Sequence, residues 1–63
     1  MKEELTELGF RHFWNKDYRL DLKNHALEAQ TDTNNIYLIR NGQKMFLMKY
    51  DLRRLEAVIK LLK

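Results

Sequence analysis

Cysteine, proline and serine are absent from this chain of 63 residues, and glycine occurs only twice. The lack of cysteine excludes a disulfide framework and thiolate metal sites, and it is typical of a reducing compartment. Without serine or cysteine, the histidines have neither of these nucleophiles to activate. The glycines, Gly9 and Gly42, stand alone, so no glycine-rich loop is available to hold a phosphate. These absences argue against an enzyme.

Long hydrophobic runs are absent as well. No stretch approaches the roughly 20 apolar residues that span a bilayer, and the N-terminal Met1-Lys2-Glu3-Glu4 is too acidic for a signal peptide. We therefore expect a cytoplasmic protein with no membrane partner. The length allows one domain, residues 1–63, with a core that rarely supplies more than about 3–5 kcal/mol of net stability. Because disulfides and thiolate metal sites are excluded, self-association is the favoured reinforcement.

Helical and strand patterns along the chain predict an α+β fold. Leucine spacing predicts a short helix over residues 2–8, and Gly9 suits the left-handed position after it, with Phe10 folding back on Leu5. Asp51 is a preferred N-cap for a C-terminal amphipathic helix, which should pack on one face of the sheet. Between the helices we expect an antiparallel β-meander of four or five strands. The strand segments are residues 10–14, 18–22, 26–30 and the two arms of a hairpin over 35–50.

The hairpin is the strongest local signal in the sequence. Asn41-Gly42 tolerates the positive φ that both central positions of a type I′ turn require. This turn sets the register, with Arg40 opposite Gln43. The pairs that follow are Ile39–Lys44, Leu38–Met45, Tyr37–Phe46 and Ile36–Leu47. Both faces of the hairpin are then apolar, whereas a hairpin buried on one side alternates apolar with polar residues, so two covering layers are needed.

One face of the hairpin should lie in the core, under the C-terminal helix, and the other should contact a second chain. The predicted core face consists of Ile36, Leu38, Met45 and Leu47. The predicted interface consists of Tyr37, Ile39, Phe46 and Met48. The reverse assignment fits the pattern almost equally well. The alternative to a second chain is that the N-terminal helix, with Phe10, Phe13 and Trp14, folds over the second face and completes a monomer in three layers.

Positive charge is concentrated in the second half of the chain. Residues 1–32 contain five Lys/Arg and seven Asp/Glu, whereas residues 33–63 contain seven and two. Such a surplus can contact phosphates, with Tyr37 or Phe46 stacking on bases, so nucleic-acid binding is the alternative function. The candidate cations are Arg40, Lys44, Arg53, Arg54 and Lys60. No nucleic-acid-binding motif accompanies the charge, and a surplus of this size is ordinary for a solvated surface.

Two histidines and several acidic residues are the remaining candidates for catalysis or metal binding. His12 and His25 are not spaced for joint ligation on a helix, and no third ligand is indicated. Acid–base work by carboxylates would need an apolar pocket, which so short a chain has little interior to build. We therefore predict no catalytic residue, no metal site and no cofactor.

Both ends of the chain carry recognisable structural motifs. Leu5-Thr6-Glu7-Leu8-Gly9-Phe10 is a leucine-rich turn of helix that ends in Gly-Phe, and residues 51–62 form an amphipathic helix led by Asp-Leu. In these motifs the chain resembles small proteins encoded by bacteriophages and other mobile elements. The resemblance implies a non-enzymatic accessory protein that modulates a host protein. Together with the apolar hairpin, it predicts a protein-interaction module that self-associates as a homodimer.

Overall fold

The N-terminal helix ends in the hydrogen-bond pattern that its sequence predicts. In the computed structural model, which describes all 63 residues, helix α1 spans Lys2–Glu7. The N–H of Phe10 donates to the carbonyl oxygen of Leu5 at 2.9 Å, and that of Gly9 donates to Thr6 at 3.0 Å. With a φ of 101° at Gly9, these bonds form a Schellman motif. Because the side chains of Leu5 and Phe10 are both buried, the end of the helix is also anchored in the core.

Five antiparallel strands form one open sheet, in which every strand pairs with its neighbours in sequence. The strands are β1 (Arg11–Trp14), β2 (Asp17–Asp21), β3 (Ala26–Gln30), β4 (Asn35–Arg40) and β5 (Gln43–Lys49). The predicted meander is thus confirmed, with β1 and β5 as its two edges. On the central strand β3, Leu27 and Ala29 are buried on the same face, as the alternation of side chains along a strand requires.

Tight turns between the strands depend on asparagine at positive φ. Asn15, Asn34 and Asn41 have φ values of 52°, 61° and 52°, a conformation that asparagine adopts more readily than most residues with a side chain. Gly42 follows Asn41 with a φ of 77°. Both central positions of the β4–β5 turn are therefore in the conformation of a type I′ turn, as predicted, and Arg40 lies opposite Gln43.

Helix α2 spans Leu52–Leu62 and begins at the predicted cap. The N–H of Arg54 donates to Oδ1 of Asp51 at 3.2 Å. One turn apart on this helix, Leu55 and Ile59 are buried. Neither helix of the protein is long and apolar enough to cross a membrane.

Both helices lie on one face of the sheet. The core cluster consists of Leu5, Phe10, Leu27, Ala29, Ile36, Leu55 and Ile59. Since Leu27, Ala29 and Ile36 share a face through cross-strand pairing, α1 and α2 must cover that same face. The three-layer alternative, in which the N-terminal helix covers the second face, is therefore wrong. No helix of this chain covers the opposite side of the sheet, which we call the open face.

A β-bulge at Leu47 changes the predicted register of the hairpin. The first four pairs from the turn are as predicted, but Ile36 lies opposite Met48 and not opposite Leu47. Met48 therefore packs against the core cluster, together with Leu38. The predicted core face was right for Ile36 and Leu38. It was wrong for Leu47, and Met45 lies too close to the sheet edge to be buried.

Candidate functional site

Cross-strand pairing assembles the open face from residues of all five strands. One row consists of Arg11, Arg19, Glu28, Tyr37 and Phe46. A second row consists of Asp21, Ala26, Ile39 and Lys44. Three of the predicted interface residues, Tyr37, Ile39 and Phe46, are thus brought together on strands β4 and β5. The fourth, Met48, lies on the side that the helices cover, because of the bulge.

An ion pair crosses the open face from the central strand to the edge. Glu28 on β3 is only 6% exposed, and its Oε2 lies 2.5 Å from Nζ of Lys44 on β5. The hydrogen bond to Glu28 raises the pKa of Lys44 above its ordinary value, although burial acts in the opposite direction. The ammonium group also lies 4.7 Å from the centre of the Tyr37 ring, within the range of a cation–π interaction. Lys44 is therefore held inward across the sheet.

Aromatic rings flank this ion pair. The rings of Tyr37 and Phe46 meet edge to face, with 6.0 Å between their centres and an angle of 79°. Nδ2 of Asn35 donates a hydrogen bond to the hydroxyl of Tyr37 at 3.1 Å. On the β2 side, burial and the negative charge of Glu28 raise the pKa of Asp17. The open face near β4 and β5 thus combines fixed aromatic rings with a neutralised pair of charges.

The edge strand β5 exposes apolar side chains on both faces of the sheet. Three consecutive large apolar residues of β5 are exposed: Met45 by 48%, Phe46 by 57% and Leu47 by 37%. We call these three residues the β5 edge patch. The sequence interpretation missed Met45 and Leu47 because it assigned them to the core. The position of this strand in the sequence could have identified them. The last strand of a meander has only one neighbouring strand, so a run of apolar residues there is exposed.

The opposite edge of the sheet carries a smaller aromatic group. Phe13 and Trp14 on β1 are both exposed, and the guanidinium of Arg19 lies 5.7 Å from the centre of the Phe13 ring. Nε of Arg19 also donates to Oδ1 of Asp21 at 3.0 Å. The strand has four residues and its pairing with β2 shifts register between His12 and Trp14. It therefore offers less regular backbone than β5.

The cations predicted to contact nucleic acid do not form one surface. Lys44 lies on the open face and is paired with Glu28. Arg53, Arg54 and Lys60 are exposed on α2, which packs on the other side of the sheet. Arg40 lies at the end of β4, next to the turn. The structure divides these charges between opposite sides of the molecule.

The histidines have structural contacts. Nε2 of His12 lies 2.5 Å from the carbonyl oxygen of Asn15, and its ring packs 5.2 Å from that of Tyr18. The carbonyl oxygen of His25 accepts a hydrogen bond from the N–H of Leu22 at 2.8 Å. No group of three or more histidine, aspartate or glutamate side chains is arranged to hold a metal ion.

Comparison with known proteins gives no match. No protein-family model matches the chain, and no curated protein or solved structure is significantly similar to it. The resemblance to small bacteriophage proteins therefore stays a prediction.

Proposed function

We propose that this protein is a non-enzymatic interaction module that binds a second copy of itself through hairpin β4–β5. The observation that carries this proposal is the β5 edge patch, a continuous run of exposed apolar side chains on a strand that has one neighbour. Exposed apolar area on an edge strand is a site for association, because burial of apolar surface and pairing of free backbone groups reinforce each other. A host protein bound at the same patch is the related candidate.

The small core supports self-association. Only nine of the 63 residues are buried, so the folded chain has little interior from which to gain stability. Burying the Phe46 side chain at an interface would contribute about 1.5–3 kcal/mol. The partner would also cover the rim of the Glu28–Lys44 ion pair, where water exclusion strengthens an existing electrostatic contact.

The test is the mass of the protein as a function of its concentration, measured by sedimentation equilibrium. We expect the wild-type chain to pass from monomer to dimer as the concentration rises, and Phe46→Asp to remain a folded monomer. The matched control is Leu61→Asp, since Leu61 is 83% exposed but lies on α2, away from the hairpin. This control should dimerise like the wild type.

A monomeric wild-type protein at every concentration would contradict the proposal. Phe46→Thr provides a second variant that retains a residue favoured in strands and removes the ring. If both Phe46 variants unfold as isolated chains, the ring belongs to the monomer core and the proposal fails. If both stay folded and dimeric, the association surface lies elsewhere and the proposal also fails.

A further inference from the structure

We infer that the two copies join by antiparallel pairing of their β5 strands about a two-fold axis that passes through Met45. This inference rests on the proposed function, because it specifies how a second copy occupies the β5 edge patch. It would make one continuous sheet across the dimer.

The turn determines which backbone groups of β5 are free. In a hairpin closed by two residues, the pair next to the turn exchanges both hydrogen bonds, and bonded and non-bonded pairs alternate from there. Gln43 and Met45 therefore direct their N–H and C=O groups toward β4. Lys44 and Phe46 direct theirs away from β4, to the open edge. These two residues are the ones that can pair with another strand.

Only one symmetric alignment satisfies both the backbone and the side chains. An axis through Lys44 would place Phe46 opposite Gly42 of the second copy, beyond the end of its β5 strand, and leave that ring without a strand partner. An axis through Phe46 would place Lys44, on the open face, opposite Met48, which the bulge turns to the other face. An axis through Met45 places Lys44 opposite Phe46 of the second copy. Both residues then share the open face and exchange their free hydrogen bonds.

Lysine on an edge strand normally prevents such pairing, but Lys44 does not block it here. Lys44 is held across the sheet by Glu28 and lies over the Tyr37 ring, so its charge is directed inward. The next lysine, Lys49, follows the bulge at Leu47. The stretch from Gln43 to Leu47 is therefore open to a second strand.

Pairing about a two-fold axis also limits the assembly to two copies. The two β5 edges pair with each other, and the edges that remain free are the two β1 strands. β1 has only four residues, and its pairing with β2 is interrupted between His12 and Trp14. A closed dimer is the expected product rather than a growing sheet.

The absence of cysteine makes the alignment measurable by cross-linking, because each variant has a single thiol. In a directly opposed, non-bonded pair the Cα atoms are about 4.5 Å apart, within the range of a disulfide. We expect Met45→Cys to form a covalent dimer under mild oxidation. The matched control is Leu47→Cys on the same strand, where the two thiols would be about 14 Å apart along the strands. A second control is Trp14→Cys on β1.

The expected result is covalent dimerisation at least about tenfold faster for Met45→Cys than for either control. Faster cross-linking of Leu47→Cys, in a protein that is dimeric by mass, overturns this alignment and leaves the proposed function intact. Faster cross-linking of Trp14→Cys places the contact at β1, the opposite edge of the sheet, and overturns both. A monomeric wild type overturns both.

A second measurement uses the unmodified chain, in case Met45→Cys does not fold. Backbone amides that are free in the monomer exchange rapidly with solvent, and amides that pair at an interface are protected. We expect the amides of Lys44 and Phe46 to become protected as the wild type dimerises. Rapid exchange of both amides in the dimer would overturn the alignment.

Discussion

Glu28 and Lys44 determine the character of the open face. A carboxylate on the central strand would be costly to bury alone, and the ammonium of Lys44 compensates it at 2.5 Å. The same contact withdraws the lysine from the edge of the sheet and leaves the apolar side chains of β5 more accessible. One ion pair thus serves the stability of the monomer and the exposure of the β5 edge patch.

Removing the lysine should destabilise the protein. We expect Lys44→Met to lower the free energy of unfolding by about 1–2 kcal/mol, because the carboxylate of Glu28 loses its partner in a mostly buried position. Urea denaturation measures the change. The control is Lys49→Met, whose Nζ donates to the exposed carbonyl of Thr33, and its effect should stay within about 0.5 kcal/mol. Equal stabilities of the two variants would contradict the role given to the ion pair.

A second contact between distant residues predicts a pH dependence. The hydroxyl of Tyr50 donates to Oε1 of Glu4 at 2.7 Å. Burial, reinforced by this hydrogen bond, raises the pKa of Tyr50 from 10.0 to about 12, and the bond lowers the pKa of Glu4 below 4.5. The stability that neutral Tyr50 contributes is complete below pH 10 and lost as the pH rises toward 12. The contribution of ionised Glu4 is present above pH 4.5 and lost in acid.

Tyr50→Phe should therefore flatten the dependence of the unfolding free energy on pH between 10 and 12. At pH 7 we expect a loss of about 1 kcal/mol, since one hydrogen bond is removed. Urea denaturation across the alkaline range is the measurement, with Tyr18→Phe as the variant that removes a hydroxyl outside this contact. An unchanged alkaline profile for Tyr50→Phe would show that the pair does not link stability to pH.

At the scale of elements, the sequence predicted the ends of helices and the turns because their causes are local. The Schellman motif at Gly9, the cap at Asp51 and the turn at Asn41-Gly42 each depend on a few adjacent residues. The bulge at Leu47 could not be predicted in this way. Leu47 and Met48 are both apolar, so the pattern does not show which of them faces the core, and packing against the helices decides.

The candidate site was predictable to a similar extent. Tyr37, Ile39 and Phe46 follow from the turn and the alternation of side chains, and the structure brings them together. Glu28 could not be recognised as a buried residue. A glutamate on a strand normally faces solvent, and its burial depends on a lysine 16 positions later in the chain.

Deletion of Leu47 tests the bulge. Because this residue is the extra one in β5, its removal should leave the remaining pairs of the hairpin on their present faces. Deletion of Met45 should instead shift Phe46 and Leu47 by one position each, which turns Phe46 away from the open face and Leu47 onto it. We expect the first deletion to cost about 1 kcal/mol and the second several times more. Thermal denaturation compares them, and equal losses would contradict the bulge assignment.

At the scale of the whole molecule, the two sides of the sheet differ in kind. One side is closed by α1 and α2, whose solvent-facing surfaces carry charged residues, and the other is the open face. Positive charge on α2 is therefore separated from the aromatic rings of the hairpin by the thickness of the sheet. The cations of α2 and the rings of the hairpin therefore do not form one surface.

We accordingly expect no saturable, salt-dependent binding of single- or double-stranded oligonucleotides at physiological ionic strength. Fluorescence anisotropy at two salt concentrations is the measurement. Tight binding that weakens steeply with salt and is lost in Arg53→Glu/Arg54→Glu would instead support the nucleic-acid function, because the affinity would come from phosphate contacts on α2. In that case Phe46→Asp should bind the oligonucleotides as tightly as the wild type does.

The strictly sequential order of the strands has a consequence for the time course of folding. Closing the short turns costs little chain entropy, and folds built from neighbouring strands reach the native state quickly. We expect the hairpin at Asn41-Gly42 to form early. The cluster that joins Leu5 to Leu55 should close late, because it unites the two ends of the chain. The edge proposed to pair with a second copy would then form before the core is complete, so assembly and the last step of folding would compete.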